Sequence, residues 1–401
     1  MERLDMYLSD RKTALLRFGK RFGLDGACSS AGSLPSYYAQ LKKSAIDLNL
    51  PVMTNIENEL FSYFDLKIYS RYQRQGHFIK NDNLFNELYG DGFKPKPAQD
   101  LFFTANCQSV HYALFHVLQL LFPNANIVKP TEKLYFESNY ILERFEKILN
   151  AKDADHNIVF LDSSFMTSKS ELFFFEEVKE CPLIIFDTTC YDRQSEYISE
   201  VVRRAQMKEI PLILTRSHLK LDSLGTEYGP LGSIMFLNEK DNSIKNKCYE
   251  YISHMGSFAN VLQIYPFIFD QDIKDIATMR NQMIQSNTEQ IHQAVMKDSY
   301  EYGFYQPKRL HGLFNVFVYE REKINFYKVA EKFVALSKVF NIDSKFCDSF
   351  GFDFFSLTNV ESEDAQQRGF LRFCSSINKG DVEKSVKVIN SVVKQIEEAP
   401  L

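Results

Sequence analysis

Three apolar segments in the middle of the chain, each ending in polar residues, constrain the fold more than any other feature. They are NIVFLDSS at 157–164, PLIIFDTTCYD at 182–192 and PLILTRSHLK at 211–220. Between them lie SKSELFFFEEVKE and SEYISEVVRRAQMKE, which have the pattern of amphipathic helices. Buried apolar strands that alternate with such helices are typical of a parallel sheet. We therefore predict an α/β domain with a mostly parallel sheet.

Two residues at the ends of these strands could carry chemistry. In parallel sheets, ligands bind beyond the carboxyl ends of the strands. Asp187 closes the apolar run IIFD, and a buried carboxylate needs a cation or a protonated partner. Lys220 follows PLIL and precedes the glycine-containing turn LDSLGTEYGPLG, where an amine could form a Schiff base with a carbonyl cofactor. Either residue taken alone is more often a solvated charge or a cap, and their spacing does not identify a cofactor.

The length of 401 residues exceeds what one hydrophobic core usually supports, so we predict a division into several parts. Residues 1–60 mix helical pattern with the loop-like CSSAGSLPS, which predicts an N-terminal arm or a pair of helices. A large α/β domain is expected over 61–255. Long helical stretches and short strands such as LFNVFVYE then predict a smaller α+β C-terminal domain over 256–401.

Charge and cysteine usage exclude several classes of function. The net charge of −5 and the lack of a basic stripe argue against a nucleic-acid partner. Seven scattered cysteines without a CxxC pair, and eight histidines without an HExxH spacing, predict no disulfide framework and no metal site. The charged N-terminal segment and the lack of a long apolar run predict no membrane association. We expect a cytoplasmic protein.

Several segments, in order along the chain, also carry a family resemblance. They are IYSRYQRQGH (68–77), TANCQSVHYAL (104–114), IIFDTTCYD (184–192), TRSHLKLDSLG (215–225), CDSFGFDFFSL (347–357) and GFLRFCSSINKGDVEKSVKVI (369–389). Together they resemble the Cys/Met-metabolism family of pyridoxal 5'-phosphate (PLP) enzymes, which includes cystathionine γ-synthases and γ-lyases. The resemblance implies PLP as cofactor and a fold-type I (aspartate-aminotransferase-like) large domain.

The resemblance also implies roles for individual residues at a PLP site. Lys220 would form the Schiff base, Asp187 would contact the pyridine nitrogen and Tyr135 would stack on the ring, and these three are the predicted catalytic residues. The other predicted cofactor ligands lie around the phosphate: Ser217, Asn106, Cys107, Gln108, Tyr69 and Arg71. Because Tyr69 and Arg71 would reach the phosphate across a dimer, a homodimer or homotetramer with shared active sites is expected.

The implied reaction is that of a carbon–heteroatom lyase or γ-synthase, of the kind found in transsulfuration. The substrate would be an amino acid with a γ or β leaving group. Arg372 would bind the carboxylate of this substrate, and Ser349 would also contact the substrate. Two departures from the family pattern leave alternatives open. The turn at 105–108 lacks the family's Ser-Gly, and Met166 stands near the position of a family asparagine. Another PLP reaction, such as transamination, or a catalytically reduced scaffold with this fold, is therefore also compatible with the sequence.

Overall fold

The computed structural model describes most of the residues between 100 and 299 and shorter stretches on either side. The described residues are 2–20, 36–37, 39–40, 43, 60–63, 66–69, 88–89, 100–131, 134–149, 156–164, 166, 169–179, 181–225, 230–259, 268–299, 308–309, 315–318, 326–347, 349–360 and 370–398. The chain forms two compact units. The large unit comprises Lys12–Ser223 and Glu227–Asp275, and the small unit comprises Met1–Arg11, Leu224–Thr226 and Ile276–Leu401.

A six-stranded sheet forms the centre of the large unit. Its strands are β3 (Asp100–Thr104), β4 (Ala125–Val128), β5 (His156–Asp162), β6 (Ile184–Asp187), β7 (Leu212–Ser217) and β8 (Gly232–Leu237). They lie in the order β3-β8-β7-β6-β5-β4, and the pairs β4–β5, β5–β6 and β6–β7 are parallel. The three apolar segments of the sequence are thus neighbouring parallel strands, as predicted. A separate antiparallel hairpin pairs β1 (Leu60–Tyr63) with β2 (Leu66–Tyr69).

Helices connect the strands of the large unit. They are α2 (Cys107–Leu121), α3 (Phe136–Leu149), the short α4 (Lys169–Leu172), α5 (Glu196–Met207) and α6 (Ser243–His254). The predicted amphipathic helix SEYISEVVRRAQMKE is present as Glu196–Met207, whereas SKSELFFFEEVKE forms only a short helix, Lys169–Leu172, and a 3-10 helix, Phe174–Glu176. Helix α2 buries Val110, Leu114 and Val117, whose three- and four-residue spacing places them on one face. This face belongs to the same core cluster as Phe160 and Ile185 of the sheet. The core therefore fixes the position of α2 over the central strands.

The strand register determines which polar residues meet at the carboxyl edge of the sheet. Asp162 of β5 is paired with Asp187 of β6, and Asp187 is paired with Thr215 of β7. Because parallel neighbours all end at the same edge, three polar side chains from distant parts of the chain come together there.

The small unit contains a five-stranded sheet covered by helices. Its strands are β9 (Lys308–Arg309), β10 (Asn315–Val318), β11 (Ser344–Phe346), β12 (Phe355–Val360) and β13 (Phe370–Cys374), in the order β11-β12-β13-β10-β9. Only the β11–β12 pair of this sheet is parallel among the described residues. Helices α8 (Phe326–Val339) and α9 (Val382–Glu398) supply Phe333 and Ile389 to its core.

Two long helices have residues in both units. They are α1 (Glu2–Lys20) and α7 (Gln271–Ser299). Within the small unit, Arg11 of α1 and Arg280 of α7 each donate to the carboxylate of Asp353 at 2.7 Å. None of the helices in the described part of the chain is long and apolar enough to cross a membrane.

Candidate active site

Two buried carboxylates lie side by side at the carboxyl edge of the large sheet. Asp187 accepts a hydrogen bond from the backbone N–H of Thr189 at 2.8 Å. Asp162 accepts from the backbone N–H groups of Ser164 and Tyr135, both at 2.7 Å. Burial raises the pKa of both carboxyls, and the charge of Asp187 raises the pKa of Asp162 further. A positive group placed beside this pair would therefore be stabilised.

His111 of α2 faces the same carboxylate. Its Nε2 lies 3.0 Å from Thr215 Oγ1 and 3.5 Å from Asp187 Oδ2, and its Nδ1 lies 3.3 Å from Ser138 Oγ. Burial lowers the pKa of His111 to about 4, so the imidazole is neutral at pH 7. Sequence reasoning assigned His111 no functional role. The structure places it in direct reach of Asp187.

Lys220 and Tyr135 are adjacent in the structure although they are far apart in sequence. Lys220 lies in the turn that follows β7, and its Nζ is 5.3 Å from the centre of the Tyr135 ring. The backbone of Tyr135 is fixed by the hydrogen bond to Asp162. Although burial dominates and raises the pKa of Asp187, the positive charge of Lys220 acts in the opposite direction. The three residues predicted to be catalytic, Lys220, Asp187 and Tyr135, thus lie in one cluster.

The N-terminus of α2 borders this cluster. Asn106 caps the helix, since its Oδ1 accepts from the backbone N–H of Ser109 at 2.8 Å. The side-chain amide of Gln108 donates to Glu137 at 2.8 Å, and its buried Oε1 has no hydrogen-bond partner among the described residues. A helix N-terminus favours anions, because its first N–H groups are unpaired and its dipole is positive there.

A glycine permits this helix to start so close to the sheet. A Cβ atom on Gly232, the first residue of β8, would lie 2.6 Å from the carbonyl carbon of Asn106 and from the nitrogen of Cys107. Both are backbone atoms, so no side-chain rotation could relieve the overlap. Ser217 ends the neighbouring strand β7, where its N–H donates to Thr189 Oγ1 at 3.0 Å. The predicted phosphate ligands Asn106, Cys107 and Ser217 therefore belong to one small region.

A buried ion network holds the turn that carries Lys220. Arg216 binds Asp222 through two hydrogen bonds of 2.7 and 2.8 Å, and also donates to the carbonyls of Thr188 and Tyr191. Arg193 lies 3.2 Å from the same carboxylate. Burial alone would raise the pKa of Asp222, but the two guanidinium groups hold it well below its ordinary value. The network fixes the residues before and after Lys220 to the loop that follows β6.

His218 belongs to this network. Its Nδ1 lies 2.6 Å from Asp222 Oδ2 and its Nε2 lies 2.8 Å from Ser233 Oγ. Burial lowers the pKa of His218, so the neutral ring donates to Asp222 and accepts from Ser233. Both ring nitrogens are thereby used in holding the turn. Met166 is also buried, and its Sδ accepts from the hydroxyl of Tyr191 at 3.8 Å.

The residues predicted to bind substrate lie in the small unit. Arg372 of β13 is buried, is paired with Thr358 of β12, and has its guanidinium 5.3 Å from the ring of Phe350. Ser349 is also buried, and its carbonyl accepts from Thr358 Oγ1 at 3.1 Å. Arg372 and Ser349 are therefore close to the same threonine.

Two of the predicted phosphate ligands are described only in part or not at all. Tyr69 is the last residue of β2, and its side chain lies outside the described residues. Arg71 lies entirely outside them. Their roles stay predictions.

Comparison with known proteins identifies the fold. No family model and no curated protein matches the sequence. The structure is similar to cystathionine gamma-lyase from yeast, with a TM-score of 0.51 and 12% sequence identity over 80% of this chain and 86% of that chain. Similarity is also found to a cystathionine gamma synthase from Xanthomonas oryzae pv. oryzae in complex with cystathionine (TM-score 0.48, 81% of this chain, 88% of that chain). A methionine gamma-lyase from Micromonospora echinospora is similar with a TM-score of 0.45 over 79% of this chain and 86% of that chain, and both proteins share 12% identity with this chain.

The similarity to the yeast protein defines the fold. The chain has the α/β architecture of PLP fold-type I enzymes, with a mostly parallel central sheet, as the sequence predicts.

Proposed function

We propose that the chain is a PLP-dependent enzyme that acts on an amino acid with a leaving group at Cγ or Cβ, by elimination or replacement. One observation carries the proposal. An amine, an aromatic ring and a buried carboxylate, from Lys220, Tyr135 and Asp187, converge at the carboxyl edge of the parallel strands in a fold-type I sheet. A fold by itself does not indicate a reaction, so the proposal depends on the position of these three groups at the sheet edge.

The residues present fit PLP by their donor chemistry. Asp187 is a buried carboxylate that receives one backbone hydrogen bond from Thr189 and faces a neutral imidazole. A protonated pyridine nitrogen would supply the charge that such a carboxylate requires. The N-terminus of α2, with the adjacent hydroxyl of Ser217, offers N–H and O–H donors to a phosphate. The close packing of Asn106 and Cys107 on Gly232 keeps those backbone groups in a fixed place.

Each residue then has a defined task. Lys220 would hold the cofactor through its amine, and this amine, when the substrate has taken its place, would accept the proton from the substrate Cα. Asp187 would keep the ring nitrogen protonated, and Tyr135 would pack on the ring face. Bound PLP supplies the electron-withdrawing ring that stabilises negative charge at Cα. Arg372 and Ser349 are proposed to bind the substrate carboxylate, by a guanidinium fork and a hydroxyl.

The phosphate site is proposed to be shared between two subunits. Tyr69 and Arg71 would complete the site of the neighbouring subunit, which makes the chain a homodimer or a pair of dimers. Arginine suits this task because it contacts a phosphate with two parallel hydrogen bonds. The amino-acid substrate is then the proposed small-molecule partner.

The proposal is tested with wild-type protein, Lys220→Ala and the control Lys240→Ala. Lys240 is exposed and pairs with Glu209 at 3.4 Å, and neither residue belongs to the proposed site. We expect PLP to give the absorbance band of a lysine-bound cofactor with wild type and with Lys240→Ala, and borohydride to fix it. The band should be missing from Lys220→Ala.

The reaction type is tested with a panel of amino acids that carry leaving groups at Cγ or Cβ. Elimination releases a keto acid and ammonia in equal amounts. A keto acid without ammonia would indicate amino-group transfer and contradict the elimination proposal. A wild-type protein that shows no band with excess PLP would remove the cofactor assignment altogether.

A further inference from the structure

We propose that Cys107, His111 and Asp187 form a binding site for one thiophilic divalent cation, with Zn²⁺ as the expected ion. The Sγ, Nε2 and carboxylate oxygen atoms of these residues lie within 4.8 Å of one another, and all three residues are buried. Sulfur, imidazole nitrogen and carboxylate oxygen are the donors that zinc uses in proteins. Three protein ligands leave one position open, as in zinc sites that carry out catalysis.

The distances between the donor atoms agree with a zinc site. Cys107 Sγ lies 3.9 Å from His111 Nε2, and the same nitrogen lies 3.5 Å from Asp187 Oδ2. Bond lengths of about 2.3 Å to sulfur and about 2.0 Å to nitrogen or oxygen, at tetrahedral angles, separate neighbouring ligand atoms by about 3.3–3.5 Å. On binding the ion, these two pairs would need to approach by about 0.2–0.4 Å. The third pair, Cys107 Sγ and the Asp187 carboxylate oxygen, lies within 4.8 Å and would need to approach by up to about 1.3 Å.

The local structure aims these donors at one point. Cys107 and His111 are four residues apart at the start of α2, so both side chains lie on the same helix face. Asp187 comes to that face from the end of β6. Two of the proposed ligands are themselves held by neighbouring groups: Ser138 Oγ contacts His111 Nδ1, and the N–H of Thr189 donates to Asp187 Oδ1. Such outer contacts orient the metal-binding atoms in known sites.

Charge favours a divalent ion at this place. Asp187 is next to the buried carboxylate of Asp162, and a cation would relieve the repulsion between the two. A thiolate and one carboxylate would neutralise Zn²⁺, while the thiol proton of Cys107 passes to solvent on binding. The ion would replace the contact between His111 Nε2 and Thr215 Oγ1, which is 3.0 Å long. The sulfur and imidazole donors favour Zn²⁺ over Mg²⁺ or Ca²⁺, which prefer oxygen.

The site shares Asp187 with the proposed PLP site. If the proposed function holds, the ion and the cofactor exclude each other, so bound metal would block cofactor loading. The metal site itself does not depend on PLP, because its three donors are present in the chain without it.

The test uses the full-length, cofactor-free protein with its cysteines reduced, and Co²⁺ as a coloured substitute for Zn²⁺. We expect one Co²⁺ per chain, with the near-ultraviolet absorbance of a sulfur–cobalt bond and the visible bands of a four-coordinate ion, both removed by Zn²⁺. Cys107→Ser should lose the sulfur band, and His111→Gln should weaken binding at least about 100-fold. Cys190→Ser is the control, since its buried sulfur contacts Ser164 at 3.3 Å and is not one of the three proposed donors.

The outcomes separate the two proposals. Wild-type protein that binds no Co²⁺, or a sulfur band that persists in Cys107→Ser, would overturn the metal site. Circular dichroism of each variant shows whether it is folded, and the wild-type result stands even if a variant is not. PLP that binds zinc-loaded wild-type protein with unchanged affinity would contradict mutual exclusion. Binding of Co²⁺ by a protein that never takes up PLP would support the metal site and remove the PLP proposal.

Discussion

Asp222 holds together the ion network under the Lys220 turn, and its replacement by Asn is the sharpest test of that network. The carboxylate accepts two hydrogen bonds from Arg216, lies 3.2 Å from Arg193 and contacts His218 at 2.6 Å. All of these side chains are buried. The amide of Asn keeps the shape but removes the charge, so Asp222→Asn leaves two buried guanidinium groups without a counter-charge.

The expected loss is large. Removing one partner of a buried ion pair typically costs about 3–5 kcal/mol, because the remaining charge is left desolvated and unpaired. With a urea dependence of about 3 kcal/mol per molar, the unfolding midpoint of the large unit should fall by roughly 1–1.7 M. The matched change Glu209→Gln removes a carboxylate from an exposed pair with Lys240 and should cost less than about 1 kcal/mol.

The difference between wild type and Asp222→Asn should also depend on pH. The pKa of Asp222 in the folded protein is well below that of an unfolded aspartate, which is about 3.9. The unfolded state therefore takes up the proton first as the pH falls. The stabilisation by Asp222 is complete above about pH 5 and is lost as the pH falls below about 4 towards the folded-state pKa.

Urea unfolding followed by circular dichroism is the assay, because the chain has no tryptophan for fluorescence. Wild type, Asp222→Asn and Glu209→Gln should be compared at pH 7 and at decreasing pH in the same buffer and without PLP. A midpoint for Asp222→Asn equal to that of Glu209→Gln would refute the network as the support of this turn. A gap that did not narrow at low pH would refute the assigned sign of the Asp222 pKa shift.

Two further predictions concern the same region. Gly232→Ala should lower the unfolding free energy by roughly 1–3 kcal/mol and weaken PLP binding, because its Cβ would overlap the backbone of Asn106 and Cys107; unchanged thermal stability and PLP titration would contradict the close packing. His111 has a pKa of about 4 in the folded protein and about 6.5 when unfolded, so the unfolded state binds the extra proton and the free energy of unfolding should fall by at most about 1.4 kcal/mol per pH unit from pH 6 to 4.5. In urea unfolding at a series of pH values, the unfolding free energy of His111→Gln should vary less with pH than that of wild type. An equal pH dependence in the two proteins would assign it to other groups.

The sequence predicts the central sheet well because its signal is local. The three predicted strands, β5, β6 and β7, are short apolar runs, and β6 and β7 end at the positions where chemistry is expected. Asp187 and Lys220 could be selected because each follows such a run. Asp162 carries the same signal, since it ends the strand HNIVFLD, and the strand register would have placed it beside Asp187.

His111 could not be found in this way. It lies on an apolar helix face, where a histidine is ordinarily part of the core, and its partners Thr215 and Asp187 are far away in sequence. The spacing between Cys107 and His111 is visible in the sequence, but a pair of possible ligands four residues apart has no meaning until a third is placed beside it. Arg216 and Asp222 similarly resemble solvated charges of a loop until their burial is known.

The structure gives a physical interpretation of the turn at 105–108, where the sequence departs from the pattern of the family that it resembles. The turn at 105–108, where a Ser-Gly pair is expected, carries Cys107 at the first position of α2, and one helical turn later comes His111. A turn that served only to hold a phosphate through backbone N–H groups would need neither a thiol nor an imidazole beside the carboxylate of Asp187. Both residues lie beside Asp187, so the same departure that would alter the proposed phosphate site adds two donors next to the carboxylate. Asp187 is therefore the residue at which the cofactor proposal and the metal proposal compete, and the Co²⁺ and PLP titrations of one protein decide between them.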